Sequence, residues 1–214
     1  MIGMGRMVMN NLNCMDNQTY TASGLVPPPQ YKILALFGKS GAGKDTIQQW
    51  IVNNIPNTKG IVSYTTRPKR DYEVNGKDYY FIDDTEFAFK KQQGLMLEIT
   101  CFRDWYYGTS IETISPHYIN VGVFNIQGVC SLLADGRIKV LPVQIEAPPR
   151  VRLERNFQRE HYPDYTEICR RFLADEKDFQ NICFEYVYFN NSDDNGEYFN
   201  IQNIPAIREF LQGQ

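Results

Sequence analysis

The sequence predicts an α/β protein with a parallel sheet core flanked by helices. Three observations carry this. Short apolar runs of strand length alternate with helix-like segments over most of the chain, the pattern of a parallel sheet covered on both faces. One unit, at 31–54, runs strand, Gly-rich turn, helix. The 214 residues, 43% of them hydrophobic, suffice for one well-filled core, which favours one domain over two.

Residues 1–30 are rich in Asn, Met, Gly, Thr and Ser, end in Pro27-Pro28-Pro29 and show no period; they read as a disordered N-terminal extension. Order is expected from Tyr31. Tyr31–Phe37 is an apolar strand stopped by Gly38, and Lys44 to about Asn54 is a helix ending before Pro56. Gly60–Thr65 reads as a second strand, Arg67–Lys77 as a polar loop with a turn at Asn75-Gly76, and Tyr79–Ile82 as a strand. Asp83 or Asp84 can cap a helix to about Gln93, stopped by Gly94, before a strand at Leu95–Phe102. Strands at Asn120–Asn125 and Ile138–Ile145 flank a helix from about Gln127 to Ala134. An Arg-rich helix from about Pro149, an amphipathic helix at roughly Tyr165–Ile182, a strand at Phe184–Phe189 and a short helix at Pro205–Leu211 complete the chain.

Composition excludes several function classes. A net charge of −3 gives no general field for nucleic acid or anionic membrane, and phosphate binding must come from local Arg and Lys clusters. The five cysteines are scattered, with no C-x-x-C spacing, which argues against a disulfide framework or a zinc site and for a reducing cytoplasmic setting. The Met-rich start lacks the continuous apolar stretch of a signal peptide. No apolar run approaches the roughly 20 residues of a membrane span. The sequence leaves oligomeric state open.

Gly38, Lys39, Ser40, Gly41, Ala42, Gly43 and Lys44 form G-x-x-x-x-G-K, a phosphate-binding loop in the strand-to-helix setting it requires. Its glycines let backbone N–H groups converge, the following helix N-terminus adds partial positive charge, and Lys44 can reach the outer phosphates. The next position calls for Ser or Thr, whose hydroxyl holds magnesium; here it is Asp45, with Thr46 one place later. A carboxylate beside bound triphosphate needs a cation between them, so Asp45 is read as a magnesium ligand, directly or through water. The alternative is that Thr46 supplies the hydroxyl and Asp45 caps the helix.

A second constellation follows. Arg67 and Arg70 share one loop and can fork onto a single phosphate, to which Tyr79 and Tyr107 can add hydroxyls. Either arginine alone would read as part of a solvated basic loop. Glu98 stands in an apolar strand, where a lone acid is costly unless paired. A carboxylate there suits the N1–H and N2–H₂ edge of guanine and suits adenine much less.

These segments, S-x-T-T-R-x-x-R at 63–70, E-x-N-G-x-D-Y at 73–79, the strand ending in Glu98 and the Tyr107-Gly108-Thr109 turn, resemble the guanylate kinase family in order and spacing over about 31–190. The resemblance implies a P-loop nucleoside monophosphate kinase fold with a small mixed GMP-binding region at about 62–112 and a helical lid at about 150–165. It implies transfer of a phosphoryl group from ATP to GMP or dGMP with Mg²⁺. By position, Arg67, Arg70, Tyr79 and Tyr107 would hold the GMP phosphate, and Ser63, Glu98 and Thr109 would read guanine beside Gly108. In the lid, Arg155 and Arg159 lie four apart on one helix face and resemble the arginines that close over ATP; Arg170 or Arg171 matches a third, with Arg171 taken here. Asn190 matches an Asn near the adenine. Catalysis would rest on Lys44, Arg67, Arg155, Arg159 and Arg171, with Mg²⁺ and no required general base.

The chain departs from the family at one strand. An Asp-x-Asp pair is expected before Gln127-Gly128, and the sequence reads Val123-Phe124-Asn125. Asn125 keeps an amide oxygen for guanine N2; Val123 can serve neither metal nor Arg. Asp45 then reads as a carboxylate gained for the one lost at 123. Two other readings stay open: a kinase for other (deoxy)nucleoside monophosphates, and a non-catalytic binding module of the kind found in scaffold proteins. His117 and His161 have no triad or ligand spacing, Asp193-Asp194 reads as a solvated turn, and Trp50 and Trp105 read as packing residues.

Overall fold

The computed structural model describes residues 30–71, 73–102, 104–159, 162–190 and 204–212. The extension at 1–29, His161 and Asp193-Asp194 lie outside the described residues.

Strand β1 (Tyr31–Phe37) sits at the centre of a five-stranded parallel sheet. It pairs on one side with β7 (Ile119–Val123) and on the other with β8 (Ile138–Glu146). Strand β2 (Thr58–Gly60) extends the sheet beyond β7, and β9 (Val187–Phe189) extends it beyond β8. Side chains alternate across a strand, so β1 feeds both faces. Leu34 and Leu36 pack with Ile47 and Ile51 of α1 (Lys44–Asn54) and with Ile207 and Phe210 of α6 (Pro205–Gln212). Ile33, Ala35 and Phe37 pack on the other face with Val129 and Leu132 of α3 (Ile126–Ala134). Burial on both faces explains why β1 reads as a continuous apolar run.

A second, mixed sheet carries the order β4-β3-β6-β5. Its strands are β3 (Tyr64–Thr65), β4 (Tyr80–Phe81), β5 (Met96–Phe102) and β6 (Trp105–Ser110), with α2 (Asp84–Gln92) between β4 and β5. The expected single strand at Gly60–Thr65 is therefore two strands in two sheets, because the chain leaves the parallel sheet at Gly60 and crosses to the mixed one. The expected Tyr-Gly-Thr turn is the middle of β6, held by antiparallel pairing to both β3 and β5. Pairing shifts between Met96 and Glu98, with Met96 opposite Ser110 and Glu98 opposite Thr109. Such a bulge re-aims a side chain: Leu97 goes to the core while Glu98 turns to Thr109.

Helices α4 (Pro149–Gln158) and α5 (Tyr165–Asp178) follow β8 and pack on each other. Helix α5 ends four residues short of the expected Ile182, and β9 begins three after the expected Phe184.

Candidate active site

Loop 38–43 leaves β1 beside β8 and enters α1. Gly41 and Gly43 have φ of 77° and 92°, the left-handed region where a Cβ is strained. A Cβ at Gly41 would also strike the Arg152 backbone, and one at Gly43 the Asn190 side chain. Ala42 is buried, and its carbonyl accepts from Asn190 Nδ2 at 2.8 Å. The amide of Asn190 thus holds the loop itself. Lys44 donates to the Lys39 carbonyl at 3.0 Å. Burial pulls its ammonium below the usual lysine value, opposed by the fields of Asp45 and Asp175. Asp45 and Thr46 are exposed in the first turn of α1, and the N-cap is Gly43, so Asp45 does not cap the helix.

Arg155 is half-buried and donates to the carbonyls of Gly41 at 3.2 Å and Ala42 at 3.5 Å. Arg159, at the end of α4, lies near enough for its charge to lower Lys44. Arg171 is drawn elsewhere: it pairs with Glu167 at 2.7 Å, and its guanidinium lies 5.8 Å from the Phe102 ring centre, as does that of Arg170.

Contacts that sequence reasoning missed also bind this loop. Asp175 Oδ2 accepts the Ser40 backbone N–H at 2.5 Å, and Asn156 Oδ1 accepts from Ser40 Oγ at 3.2 Å. Glu176 bridges Lys39, at 2.7 Å, and Arg152. Arg152 is 1% exposed, and its Nη1 has no hydrogen-bond partner among the described residues.

The second constellation gathers on the mixed sheet. Arg67 is buried and donates through Nη2 to Glu73 at 2.6 Å; its guanidinium lies 5.7 Å from the Tyr79 ring centre. Tyr79 and Tyr107 meet edge to face, with centroids 5.9 Å apart. The hydrogen bond to Glu73 is the main cause that lifts Arg67 above the ordinary arginine value, and Tyr107 adds to it. Burial raises the Tyr79 phenol, with Tyr107 and then Asp45 adding to it, which sets the loop acid in the electrostatic reach of this cluster. Arg70 presents its backbone N–H to Glu73 at 2.8 Å.

Ser63 Oγ and Thr109 Oγ1 share a hydrogen bond of 3.0 Å, and Gly108 lies beside them on β6 opposite Tyr64. Burial raises the Glu98 carboxyl above the usual value, offset in part by hydrogen bonds to Thr109. Asn125 is the N-cap of α3: its Oδ1 accepts from Gly128 N–H at 2.7 Å, and its Nδ2 donates to Thr100 at 2.8 Å. The oxygen expected to face guanine is thus already engaged in capping. Val123 packs against the α1 side of the core.

The family model for guanylate kinase matches residues 30–200. The chain belongs to the guanylate kinase family. It is 32% identical over 168 residues to a guanylate kinase of Wolbachia pipientis wMel, covering 76% of this chain and 83% of that one. It is 31% identical over 168 residues to a guanylate kinase of a Wolbachia of Brugia malayi, covering 76% and 86%. The crystal structure of guanylate kinase from Anaplasma phagocytophilum shares the fold, with TM-score 0.57 and 19% identity over 86% of this chain and 88% of that one.

Proposed function

We propose that this chain transfers the γ-phosphoryl group of ATP to GMP or dGMP, yielding ADP and GDP or dGDP. The observation that carries the reading is the pairing, on one small sheet, of a cation–tyrosine cluster (Arg67, Tyr79, Tyr107) with a carboxylate–hydroxyl cluster (Glu98, Thr109, Ser63). The first fits a monophosphate, the second the edge of guanine. A phosphate oxygen of GMP attacks the γ-phosphorus, the bond to the β–γ bridging oxygen breaks, and ADP leaves. The loop N–H groups and Lys44 orient the triphosphate, Arg67 and Arg70 the acceptor, and Arg155 and Arg159 offset the charge of the moving phosphoryl. Residues about 62–112 act as the acceptor region and about 150–165 as the lid, in a cytoplasmic enzyme. Arg171 joins the site only if α5 releases its pair with Glu167.

The donor set fits magnesium held mainly by substrate phosphates. Among the described residues no group of three or more His, Cys, Asp or Glu could hold a metal, and magnesium commonly takes one or two carboxylates with phosphate oxygens and water. Asp45 is the exposed carboxylate in place for this, with Thr46 beside it; the ion would offset phosphate charge. Asp45→Ala should raise the magnesium concentration for half-maximal turnover about tenfold, the loss of one charged ligand. An unaltered magnesium dependence removes Asp45 from the metal site. Asp45 also compensates for Val123, so Asp45→Ser should lower activity; a gain would refute compensation.

A coupled ADP-release assay over GMP, dGMP, AMP, CMP, UMP and dTMP tests the whole reading. Turnover confined to GMP and dGMP is expected. Preference for another base would remove the guanine role of Glu98, a reading that the capping role of Asn125 favours as the alternative. Binding of GMP without turnover on any acceptor would make the chain a binding module.

A further inference from the structure

Glu73 lies beside the proposed acceptor-phosphate site, bonded to Arg67 and to the Arg70 backbone. In the structure it is 8% exposed, and each of its polar groups is used. Oε1 accepts from Arg67 Nη2 at 2.6 Å and Oε2 accepts the Arg70 backbone N–H at 2.8 Å. Its own N–H donates to the Arg70 carbonyl at 3.1 Å, and its own carbonyl accepts from Lys69 Nζ at 2.9 Å. One acidic residue thus ties together the three basic residues of the loop before it. The carboxyl is held below the usual value, first by the hydrogen bond from Arg67.

Arg67 is correspondingly fixed. Nη1 donates to the Pro68 carbonyl at 2.7 Å, and the guanidinium lies beside the rings of Tyr79 and Phe81, 5.7 and 5.6 Å from their centres. A guanidinium has five N–H donors, so these bonds leave donors for a phosphate. A free arginine side chain loses much rotamer freedom when it binds, and one already held loses less.

We infer that Glu73 is a positioning residue: it sets the Arg67 fork and the Arg70 backbone for the 5′-phosphate of the acceptor nucleotide. The inference rests on the proposed acceptor site. Glu73 could instead compete with the phosphate for Arg67. The geometry opposes this, because Oε2 is anchored to the Arg70 backbone and the carboxylate is built into the loop.

Glu73→Gln in the full chain tests the inference, with GMP and guanosine affinities measured by calorimetry and KM for both substrates by the coupled assay. GMP should bind about tenfold more weakly, the loss of one charge-assisted hydrogen bond, while guanosine affinity and KM for ATP stay unchanged. Glu73→Asp, which keeps the charge but shortens the reach, should fall between wild type and Glu73→Gln and serves if the glutamine variant does not fold. In an Arg67→Lys background, Glu73→Gln should add little. Unchanged GMP affinity, stronger GMP binding, equal weakening of guanosine, or additive effects with Arg67→Lys would each overturn the positioning role. Wild-type chain that binds neither GMP nor guanosine would overturn the functional reading itself, and this role with it.

Discussion

The phosphate loop and the acceptor loop both hold their cations against carboxylates, but they recruit those carboxylates differently. In the acceptor loop, Arg67 finds Glu73 six residues away, and the whole device closes within one turn of chain. In the phosphate loop, Lys39 and Ser40 meet Glu176 and Asp175, which stand more than 130 residues later on α5. Arg155 on α4 likewise reaches the loop across 114 residues. The hold on Arg67 is therefore assembled by local sequence, whereas the hold on the phosphate loop is complete only when α4 and α5 lie against it. A local device presents the same geometry whatever the helices do; a device shared with the helices changes when they move.

The largest expected break in this comparison is Lys44→Ala. It removes the cation proposed to orient the triphosphate and leaves the mixed sheet untouched. We expect kcat to fall about 10²–10³-fold, as for loss of one preorganised electrostatic contact. GMP affinity by calorimetry should not change. A parallel loss of GMP binding would show that the two sides are not separable.

Glu98→Gln probes the acceptor side next. Loss of a charged hydrogen-bond acceptor should raise KM for GMP about 10–100-fold. Burial raises the Glu98 carboxyl, so in wild type it takes up a proton at a higher pH than an exposed glutamate does. KM for GMP should therefore climb on acidification from that higher pH, and the glutamine variant should lack this limb. The stability effect has the opposite sign. A raised folded-state value means that the folded chain binds the proton more tightly than the unfolded chain, so the buried charge costs stability above the folded value, and the cost fades as pH falls. Thermal melts should show Glu98→Gln more stable than wild type at neutral pH, with the gap narrowing in acid. A gap that widens in acid would reverse the assignment.

The same local-versus-distant contrast explains what the sequence discloses. Tyr31–Phe37 and Lys44–Asn54 are readable to the residue because an apolar run and a Gly-rich turn are local signals. Lys44, Arg67 and Glu98 stand out in the sequence as candidates because each lies in a short segment with its own chemistry. The crossing at 61–63 is not readable, since Gly60–Thr65 has one continuous strand-like composition and nothing in it says that its two ends join different sheets. Strand β6 is hidden in the same way: Gly108 signals a turn, and only pairing on both sides makes it a strand. Asp175 and Glu176 look like the solvated face of an amphipathic helix, because their partners on the phosphate loop, Ser40 and Lys39, stand more than 130 residues earlier in sequence. Arg171 shows the converse. Its spacing suggests the lid set, yet Glu167 one helical turn before it and Phe102 on β5 hold it instead.

Asp175→Asn gives the smallest effect and the sharpest test of the contrast. The asparagine oxygen can still accept the Ser40 N–H, so the loop keeps its support while the negative charge is removed. Burial raises the Asp175 carboxyl above the usual aspartate value, and the Ser40 N–H and then Lys44 offset part of that rise; a partly desolvated carboxylate close to Lys44 must oppose an incoming triphosphate. KM for ATP should fall several-fold, on the order of 1 kcal/mol for partly exposed charges, and the difference from wild type should shrink with added salt. KM for GMP should stay constant. In wild type, acidification protonates Asp175 at a higher pH than an exposed aspartate, so the advantage of the variant should vanish as pH falls through that range. If KM for ATP rises instead, the carboxylate supports the loop as Glu73 supports Arg67, and the donor side is preorganised in the same sense as the acceptor side despite the distance its partners span.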